Sequence, residues 1–258
     1  MFMKEGTLSS YGYGVHYAMW GDRGPRVLLI HSMDLLAESL GETHRILSLT
    51  ILDHGDSETP SRPIPLDEHA EIMRGCYRQL MFYPSVLIGH SVGGMMGMIL
   101  AAEHPEEFRG LALVDIAPFD STARPSRPAP PEYVEGEAEA RAYLNERYPG
   151  FTPEYVENRL RYAFRREGGR LRLKPTGDVI RGGLAVDLWP YVERMRAPTL
   201  LLIGEESTLV SPEARTRMER ILPDLEAVVV RGVGHMIPQE RPEEFEVLLR
   251  QFLDKVGS

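Results

Sequence analysis

Val86-Leu87-Ile88-Gly89-His90-Ser91-Val92-Gly93 is the most informative segment of this chain. The apolar run Val86–Ile88 has the length and composition of a buried strand, and a helix-like apolar stretch follows at Met95–Glu103. A serine between a strand end and a helix start, with small residues two positions to either side, can adopt a strained turn that presents its hydroxyl. The segment therefore predicts a nucleophilic serine, Ser91, at the end of a buried strand.

A turn near the C-terminus, Gly232-Val233-Gly234-His235, supplies a histidine that lies far along the chain from Ser91. Enzymes that carry their nucleophile on such a strand-to-helix turn have the serine first and the histidine last. The G-x-S-x-G pattern alone is weak, because a chain with 24 glycines contains it by chance about one time in ten. The flanking strand, the flanking helix and the late histidine favour a catalytic serine over a tight turn without chemistry.

Strand-like apolar runs alternate with helical patterns along most of the chain. These runs are Val27–Ile30, Ile46–Leu49, Val86–Ile88, Leu111–Val114, Leu200–Ile203 and Ala227–Val230. Continuous apolar runs are typical of strands that are covered on both faces, and the alternation with helices requires crossover connections. The sequence therefore predicts an α/β fold with a mostly parallel, doubly wound sheet.

The alternation stops between Pro118 and about Leu188. This region contains a proline-rich stretch, two amphipathic helix candidates and a basic hairpin-like segment, at Pro125–Pro131, Glu137–Arg147, Thr152–Arg165 and Arg166–Lys174. We expect residues 119–188 to form a helical cap inserted after the sixth strand, over the sheet edge where such folds bind ligands, and residues 1–118 and 189–258 to form the core. Because this region is rich in polar residues, the alternative is that it forms a loosely ordered surface segment. Several aromatic residues oppose that alternative: Tyr133, Tyr143, Tyr148, Tyr155, Tyr162 and Phe164.

Composition and charge argue against several classes of protein. Of the 258 residues, 43% are hydrophobic and 26% are charged, and no apolar run approaches the roughly 18 residues of a membrane span. The net charge of −9 and the lack of a basic run argue against a nucleic acid partner. Residues 1–10 lack the apolar stretch and cleavage site of a secretory signal, so we expect a cytoplasmic protein with no membrane partner. The sequence predicts no particular oligomeric state.

No further pattern predicts a metal or a cofactor. His54 and His69 are isolated from other ligand-type residues. The single cysteine, Cys76, has no recognisable base beside it, and we expect it to be a buried small hydrophobic residue. Asp34 and Asp53 lie near the predicted mouth of the pocket, and we expect both to be solvated. The sequence therefore predicts cofactor-free chemistry on a small molecule.

Several segments together resemble the signatures of the α/β-hydrolase superfamily, in particular its capped esterases. The likeness runs from Tyr11 to Leu253, and it is carried by Val27–His31, His54–Ser57, Gly89–Gly94, Leu113–Pro118 and Gly232–His235. The resemblance implies an acyl-transfer enzyme in which Ser91 attacks an acyl carbon and His235 takes and returns the proton. It also implies that the backbone N–H groups of Val92 and Met33 form the oxyanion hole.

The carboxylate that should orient His235 departs from the family pattern. Gly204–Val210 is similar to the family's acid loop but has Ser207 in the usual aspartate position. Some members supply the acid one strand earlier, and Asp115 follows the corresponding strand-like run. By this resemblance we expect Asp115 to be the acid, with Glu206 as the alternative. A capping role at the following turn is the other interpretation of Asp115.

The loop that should hold the oxyanion departs from the pattern as well. The family's His-Gly is replaced by His31-Ser32, and the stretch before His44-Arg45-Ile46 is several residues shorter than usual. A glycine in that position lets the backbone turn an N–H toward the substrate, whereas a serine must tolerate the same dihedral angles or redirect the donor. We expect His31 and His90 to pack and form hydrogen bonds rather than act as bases.

The leading hypothesis is a cofactor-free serine hydrolase that cleaves small to medium carboxylic esters or lactones through an acyl-enzyme. The altered oxyanion loop also allows a non-hydrolytic or carbon–carbon bond-cleaving enzyme of the same fold. Ser207 and Ser32 together allow a catalytically weak, ligand-binding member of the fold. That last alternative requires Asp115 to lie far from His235.

Overall fold

A computed structural model describes residues 3–30, 33–118, 130–177 and 179–257, except for the side chains of Met3, Asp34 and Arg181. Its strands are β1 Met3–Ser10, β2 Tyr13–Trp20, β3 Arg26–Ile30, β4 Arg45–Leu49, β5 Ser85–His90, β6 Phe108–Val114, β7 Tyr133–Val134, β8 Phe164–Glu167, β9 Arg170–Leu173, β10 Thr199–Gly204 and β11 Leu225–Val230. Its α-helices are α1 Asp34–Leu40, α2 Leu66–Gln79, α3 Val92–Glu103, α4 Glu137–Arg147, α5 Pro153–Tyr162, α6 Trp189–Val192, α7 Pro212–Ile221, α8 Ile237–Glu240 and α9 Pro242–Lys255.

The main sheet has eight strands among the described residues, in the order β1-β2-β4-β3-β5-β6-β10-β11. The pairs β1/β2 and β2/β4 are antiparallel, and the remaining neighbours are parallel. All the apolar runs predicted as strands lie in this sheet. The β1–β2 hairpin was not predicted, because its strands mix polar and apolar residues and β2 is only partly buried. Continuous apolar runs are most typical of strands that are covered on both faces, although the edge strand β11 was also identified from such a run and is only partly buried.

Helices cover both faces of the central sheet. Successive side chains of a strand point to opposite faces, so Leu28 packs in one hydrophobic cluster with residues of α2 and α3. Its neighbour Leu29 packs in a second cluster with residues of α1 and α9. The predicted doubly wound α/β architecture is therefore confirmed. Within the described ranges, no helix combines the length and the hydrophobicity that crossing a membrane would require.

The region predicted to form the cap contains both expected helices, α4 and α5, and the expected hairpin, β8–β9. The short strand β7 pairs with β9, so a three-stranded antiparallel sheet accompanies the helices. Side chains of these elements, including Leu144, Val156 and Phe164, form a small hydrophobic core of their own. Packing of this kind is typical of an ordered unit, not of a loose excursion. Residues 119–129, with most of the proline-rich stretch, lie outside the described residues, and the boundaries 119–188 stay a prediction.

The loop after β4 holds the chain segment that returns from this region to the core. The carboxylate of Asp53 accepts hydrogen bonds from the N–H groups of Val179 and Ile180, at 2.6 and 3.4 Å. His54 forms a β-bridge with Thr176. The expectation that Asp53 is solvated was wrong, because its buried carboxylate satisfies two backbone donors that would otherwise lose their hydrogen bonds to water. The side chain of Asp34 is not described.

Cys76 is buried on α2, as expected. Burial raises the pKa of its thiol to about 11. A thiol with a raised pKa is a poor nucleophile, so the packing interpretation of Cys76 holds.

We expect Asp53→Ala to lower the free energy of unfolding by about 1–3 kcal/mol, because a buried and a partly buried N–H group lose their acceptor. Asp53→Asn is the matched control, since it keeps the size, one acceptor oxygen and tolerance of the positive φ of 59° at this position. Urea denaturation of the three proteins tests this. Equal stability of Asp53→Ala and wild type would show that the contact does not stabilise the fold.

Candidate active site

Ser91 lies in the sharp turn between β5 and α3, with φ of 53° and ψ of −120°. A positive φ is unfavourable for a residue with a side chain, so neighbouring contacts must hold it. The N–H of Ser91 donates to the Val114 carbonyl at 3.2 Å. Its own carbonyl accepts from the N–H groups of Gly94 and Met95 at 2.9 and 3.1 Å. The strand, strained turn and helix predicted from the sequence are all present.

Two glycines of the motif permit this turn. A Cβ on Gly93 would lie 2.2 Å from the carbonyl oxygen of Ile30, at the end of β3. A Cβ on Gly89 would lie 2.5 Å from the carbonyl oxygen of Gly93. Neither distance leaves room for a side chain, so both positions require glycine. The close approach also brings the start of α3 against the end of β3, the two places from which the predicted oxyanion donors come.

Asp115 follows β6, and its side chain is 0% exposed. Its Oδ1 accepts from the N–H of Gly204, at the end of β10, at 3.0 Å. Its Oδ2 accepts from the Ser207 hydroxyl at 2.5 Å and from His235 Nδ1 at 2.8 Å. A buried carboxylate is costly unless it is hydrogen-bonded, and three donors satisfy this one.

His235 follows β11, and its side chain remains 26% exposed. Because Nδ1 donates to Asp115, the neutral ring carries its proton on Nδ1 and has a lone pair on Nε2. This is the tautomer that a general base needs, since the free Nε2 can accept a proton from a hydroxyl.

His90, the residue before Ser91, supports His235 from one side. Its Nε2 donates to the backbone carbonyl of His235 at 2.9 Å, and the two ring centroids are 4.6 Å apart. Burial, together with the nearby charge of His235, lowers the pKa of His90 to about 3. His90 is therefore neutral near pH 7, in line with the expectation that it packs and forms hydrogen bonds.

The remaining predicted site residues are Val92, Met33, Glu206 and the pair His31-Ser32. Val92 is the first residue of α3, where a backbone N–H has no acceptor within the helix. Met33 is buried immediately before α1. Glu206 is exposed, and within the described part of the chain Nδ1 of His235 contacts Asp115 and not Glu206. His31-Ser32 lies outside the described residues.

A sequence profile described as the alpha/beta hydrolase fold matches residues 27–242. The chain belongs to the alpha/beta hydrolase fold family. It is 27% identical over 248 residues to the 2-(acetamidomethylene)succinate hydrolase of Mesorhizobium japonicum, covering 90% of this chain and 88% of that protein. It is 28% identical over 222 residues to a mouse sn-1-specific diacylglycerol lipase, covering 81% of this chain and 71% of the lipase.

Solved structures show the same fold. The crystal structure of an E-2-(acetamidomethylene)succinate hydrolase superposes with a TM-score of 0.86 at 23% identity, covering 98% of this chain and all of that one (100%). A likeness at this level of identity establishes the architecture but not the reaction.

Ser207 contacts Asp115, and the sequence did not predict this contact. The sequence identified it only as a serine in the family's aspartate position. In the structure its hydroxyl donates to the same oxygen of Asp115 that His235 contacts, and its Oγ also accepts from the N–H of Leu209 at 3.3 Å. The loop that usually provides the acid thus provides a donor to an acid from the neighbouring strand.

A cavity of about 230 Å³ lies beside these residues, between α5 and the β2–β4 part of the sheet. Its wall includes His90 and Met236, the chain neighbours of Ser91 and His235. Side chains of α5, such as Tyr155 and Arg159, line it from the other side. The sequence alone did not identify these wall residues. In the described ranges, no three His, Cys, Asp or Glu side chains converge on a possible metal position.

We expect His90 to make the fold sensitive to acid. A histidine titrates near pH 6.5 in an unfolded chain, so between about pH 6.5 and the folded pKa of about 3 only the unfolded chain binds this proton. The free energy of unfolding should therefore fall as the pH falls through this window, by up to about 1.4 kcal/mol per pH unit from this residue.

His90→Gln keeps a donor for the His235 carbonyl but cannot titrate. Urea denaturation from about pH 6.5 to pH 4 should show a shallower loss of stability for this variant than for wild type. Parallel pH profiles for the two proteins would contradict the assignment.

Proposed function

We propose that this protein is a cofactor-free serine hydrolase that cleaves small to medium carboxylic esters or lactones through an acyl-enzyme. One observation carries the proposal: Nδ1 of His235 contacts Asp115 at 2.8 Å, and the residue before Asp115, Val114, accepts a hydrogen bond from the N–H of Ser91 in its strained turn. This arrangement leaves Nε2 of His235 free to accept a proton.

In the proposed reaction, the Oγ of Ser91 bonds to the acyl carbon while His235 Nε2 takes the hydroxyl proton. The N–H groups of Val92 and Met33 hold the oxyanion of the tetrahedral intermediate. His235 then returns the proton to the departing alkoxide, which leaves as an alcohol. A water molecule attacks the acyl-enzyme with His235 again as the base, and the acid and free Ser91 are released. Asp115 stays ionised throughout and stabilises the imidazolium.

Two kinds of support favour hydrolysis over the alternatives. The Mesorhizobium relative is named a hydrolase and the mouse relative a lipase, and a lipase cleaves ester bonds. The ligand-binding alternative needed Asp115 far from His235, and the 2.8 Å contact opposes it. No contact among the described residues favours carbon–carbon bond cleavage.

A fluorophosphonate probe should label the folded protein at Ser91, since it captures an activated serine hydroxyl. Ser91→Ala should abolish both labelling and the hydrolysis of p-nitrophenyl esters. Ser211→Ala is the matched control, because Ser211 caps α7 and should affect only stability, by about 1 kcal/mol. Folded wild-type protein that takes no label would refute the proposal. Labelling without turnover of any ester would favour the non-hydrolytic alternative.

Asp115→Asn should lower kcat by about 10³- to 10⁴-fold, because a neutral amide cannot stabilise the imidazolium or select its tautomer. The Ser207 hydroxyl lies 2.5 Å from the oxygen that His235 contacts. A carboxylate introduced there, in the double variant Asp115→Asn with Ser207→Asp, should therefore recover part of the loss.

Ser207→Ala is the control for this pair. It keeps Asp115 and its contacts with Gly204 and His235, and should cost no more than about tenfold in kcat. Steady-state kinetics on one p-nitrophenyl ester compares all four proteins. Near-wild-type activity of Asp115→Asn would rule out Asp115 as the orienting acid.

A further inference from the structure

The cavity beside the candidate site has an uneven distribution of charge. Four formally charged side chains line it, namely Glu5, Asp56, Arg159 and Lys174. Lys174 Nζ lies 2.5 Å from Asp56 Oδ2, so these two charges compensate one another. Glu5 is exposed at the rim, where its Oε2 lies 3.9 Å from Nε2 of His16. Arg159 is the remaining cation, and it is half-buried, whereas the carboxylate of Glu5 is exposed to solvent.

Arg159 has no carboxylate partner within the described part of the chain. It lies in the last turn of α5 and is half-buried. Other arginines of the same region do have partners on the surface: Arg141 pairs with Glu157 at 2.7 Å, and Arg166 with Glu137 at 2.7 Å. Partly removing a guanidinium from water without an anion is unfavourable, so an anion in the cavity would compensate it.

The surroundings of Arg159 fit a polar end of a small ligand. Asn158 and Tyr162 line the same wall and provide an amide and a phenol as hydrogen-bond donors. Burial raises the pKa of the Tyr143 phenol, and the nearby positive charges of Arg147 and Arg159 oppose that effect. The wall of the same cavity also includes His90 and Met236, the chain neighbours of Ser91 and His235. The cavity thus extends from Arg159 to residues adjacent to the candidate site.

We infer that the substrate of this enzyme is an ester that carries a carboxylate, and that Arg159 binds this carboxylate while the ester carbonyl lies at Ser91. This inference rests on the proposed hydrolase function. A planar guanidinium matches a carboxylate through two parallel N–H···O bonds. A single uncompensated cation in a chain of net charge −9 favours one negative charge over a dianion.

The first test uses two pairs of esters. Mono-p-nitrophenyl succinate is compared with the neutral p-nitrophenyl valerate. A second pair also consists of an anionic and a neutral ester, but its carboxylate lies in the alcohol half. Wild type should prefer an anionic ester by about tenfold or more in kcat/KM, chiefly through KM. Arg159→Gln should lower kcat/KM for that ester by about 10- to 100-fold and should leave kcat/KM for the neutral ester within about twofold of wild type. Arg159→Lys should keep part of the preference, because lysine keeps the positive charge but cannot form two parallel hydrogen bonds with the carboxylate.

Arg161→Gln is the matched control. Arg161 lies on the same helix but is exposed and does not line the cavity, so the variant loses the same charge and keeps Arg159. The guanidinium of Arg161 is 6.0 Å from the ring centroid of Tyr162, a distance at which an exposed cation interacts only weakly with the ring. Arg161→Gln should change neither ester's kinetics. Two results would overturn the inference. One is an equal kcat/KM of wild type for the neutral esters and for both anionic esters. The other is an Arg159→Gln variant that loses activity on neutral and anionic esters to the same extent.

A binding measurement separates this inference from the proposed function. Isothermal titration of free butyrate, which carries a single negative charge, into wild type, Arg159→Gln and Arg161→Gln should show binding that only Arg159→Gln loses. Arg159-dependent binding without turnover of any ester would overturn the hydrolase proposal and keep the anion site. Ester turnover without anionic preference and without Arg159-dependent binding would keep the hydrolase and overturn the site.

Discussion

The hydrogen bond between Asp115 and His235 joins segments from both halves of the chain. Asp115 follows β6, and its carboxylate also binds the end of β10 at Gly204 and the next loop at Ser207. The carboxylate is fully buried, and three groups of the protein donate hydrogen bonds to it. The position of His235 is therefore set by the register of neighbouring strands in the sheet and not by a flexible loop alone.

The same sheet positions Ser91 relative to that bond. Parallel neighbours end at one edge, and the Ser91 N–H donates to the carbonyl of Val114, the residue before Asp115. His90 then contacts the backbone of His235 from the serine side. Close packing of glycines beneath the turn prevents it from relaxing. A preorganised arrangement of this type needs little reorganisation during a reaction, which is the main benefit of building a site on strand ends.

The sequence revealed those parts of the molecule that local physics determines. Continuous apolar runs identified five largely buried strands and the partly exposed edge strand β11. The small residues around Ser91 identified its turn, since few residue types tolerate that backbone. The β1–β2 hairpin was missed because a half-covered strand has a weaker pattern. Asp53 was misjudged because a charged residue in a loop is usually solvated, and only the tertiary structure brings Val179 to it.

Contacts between distant segments account for the remaining differences. Nothing local to Ser207 indicates that its hydroxyl meets a carboxylate from another strand, and nothing local to Arg159 distinguishes it from the paired arginines nearby. Ser207 meets Asp115, and Arg159 lines the cavity, only when the loop after β10 and α5 pack against the sheet. In a fold that hosts many reactions, the sheet supplies the strand-end geometry, whereas the segments packed over it determine which charges face a ligand. The strained turn at Ser91 therefore follows from the strand-end geometry of the sheet, whereas the charge at Arg159 comes from a segment packed over it.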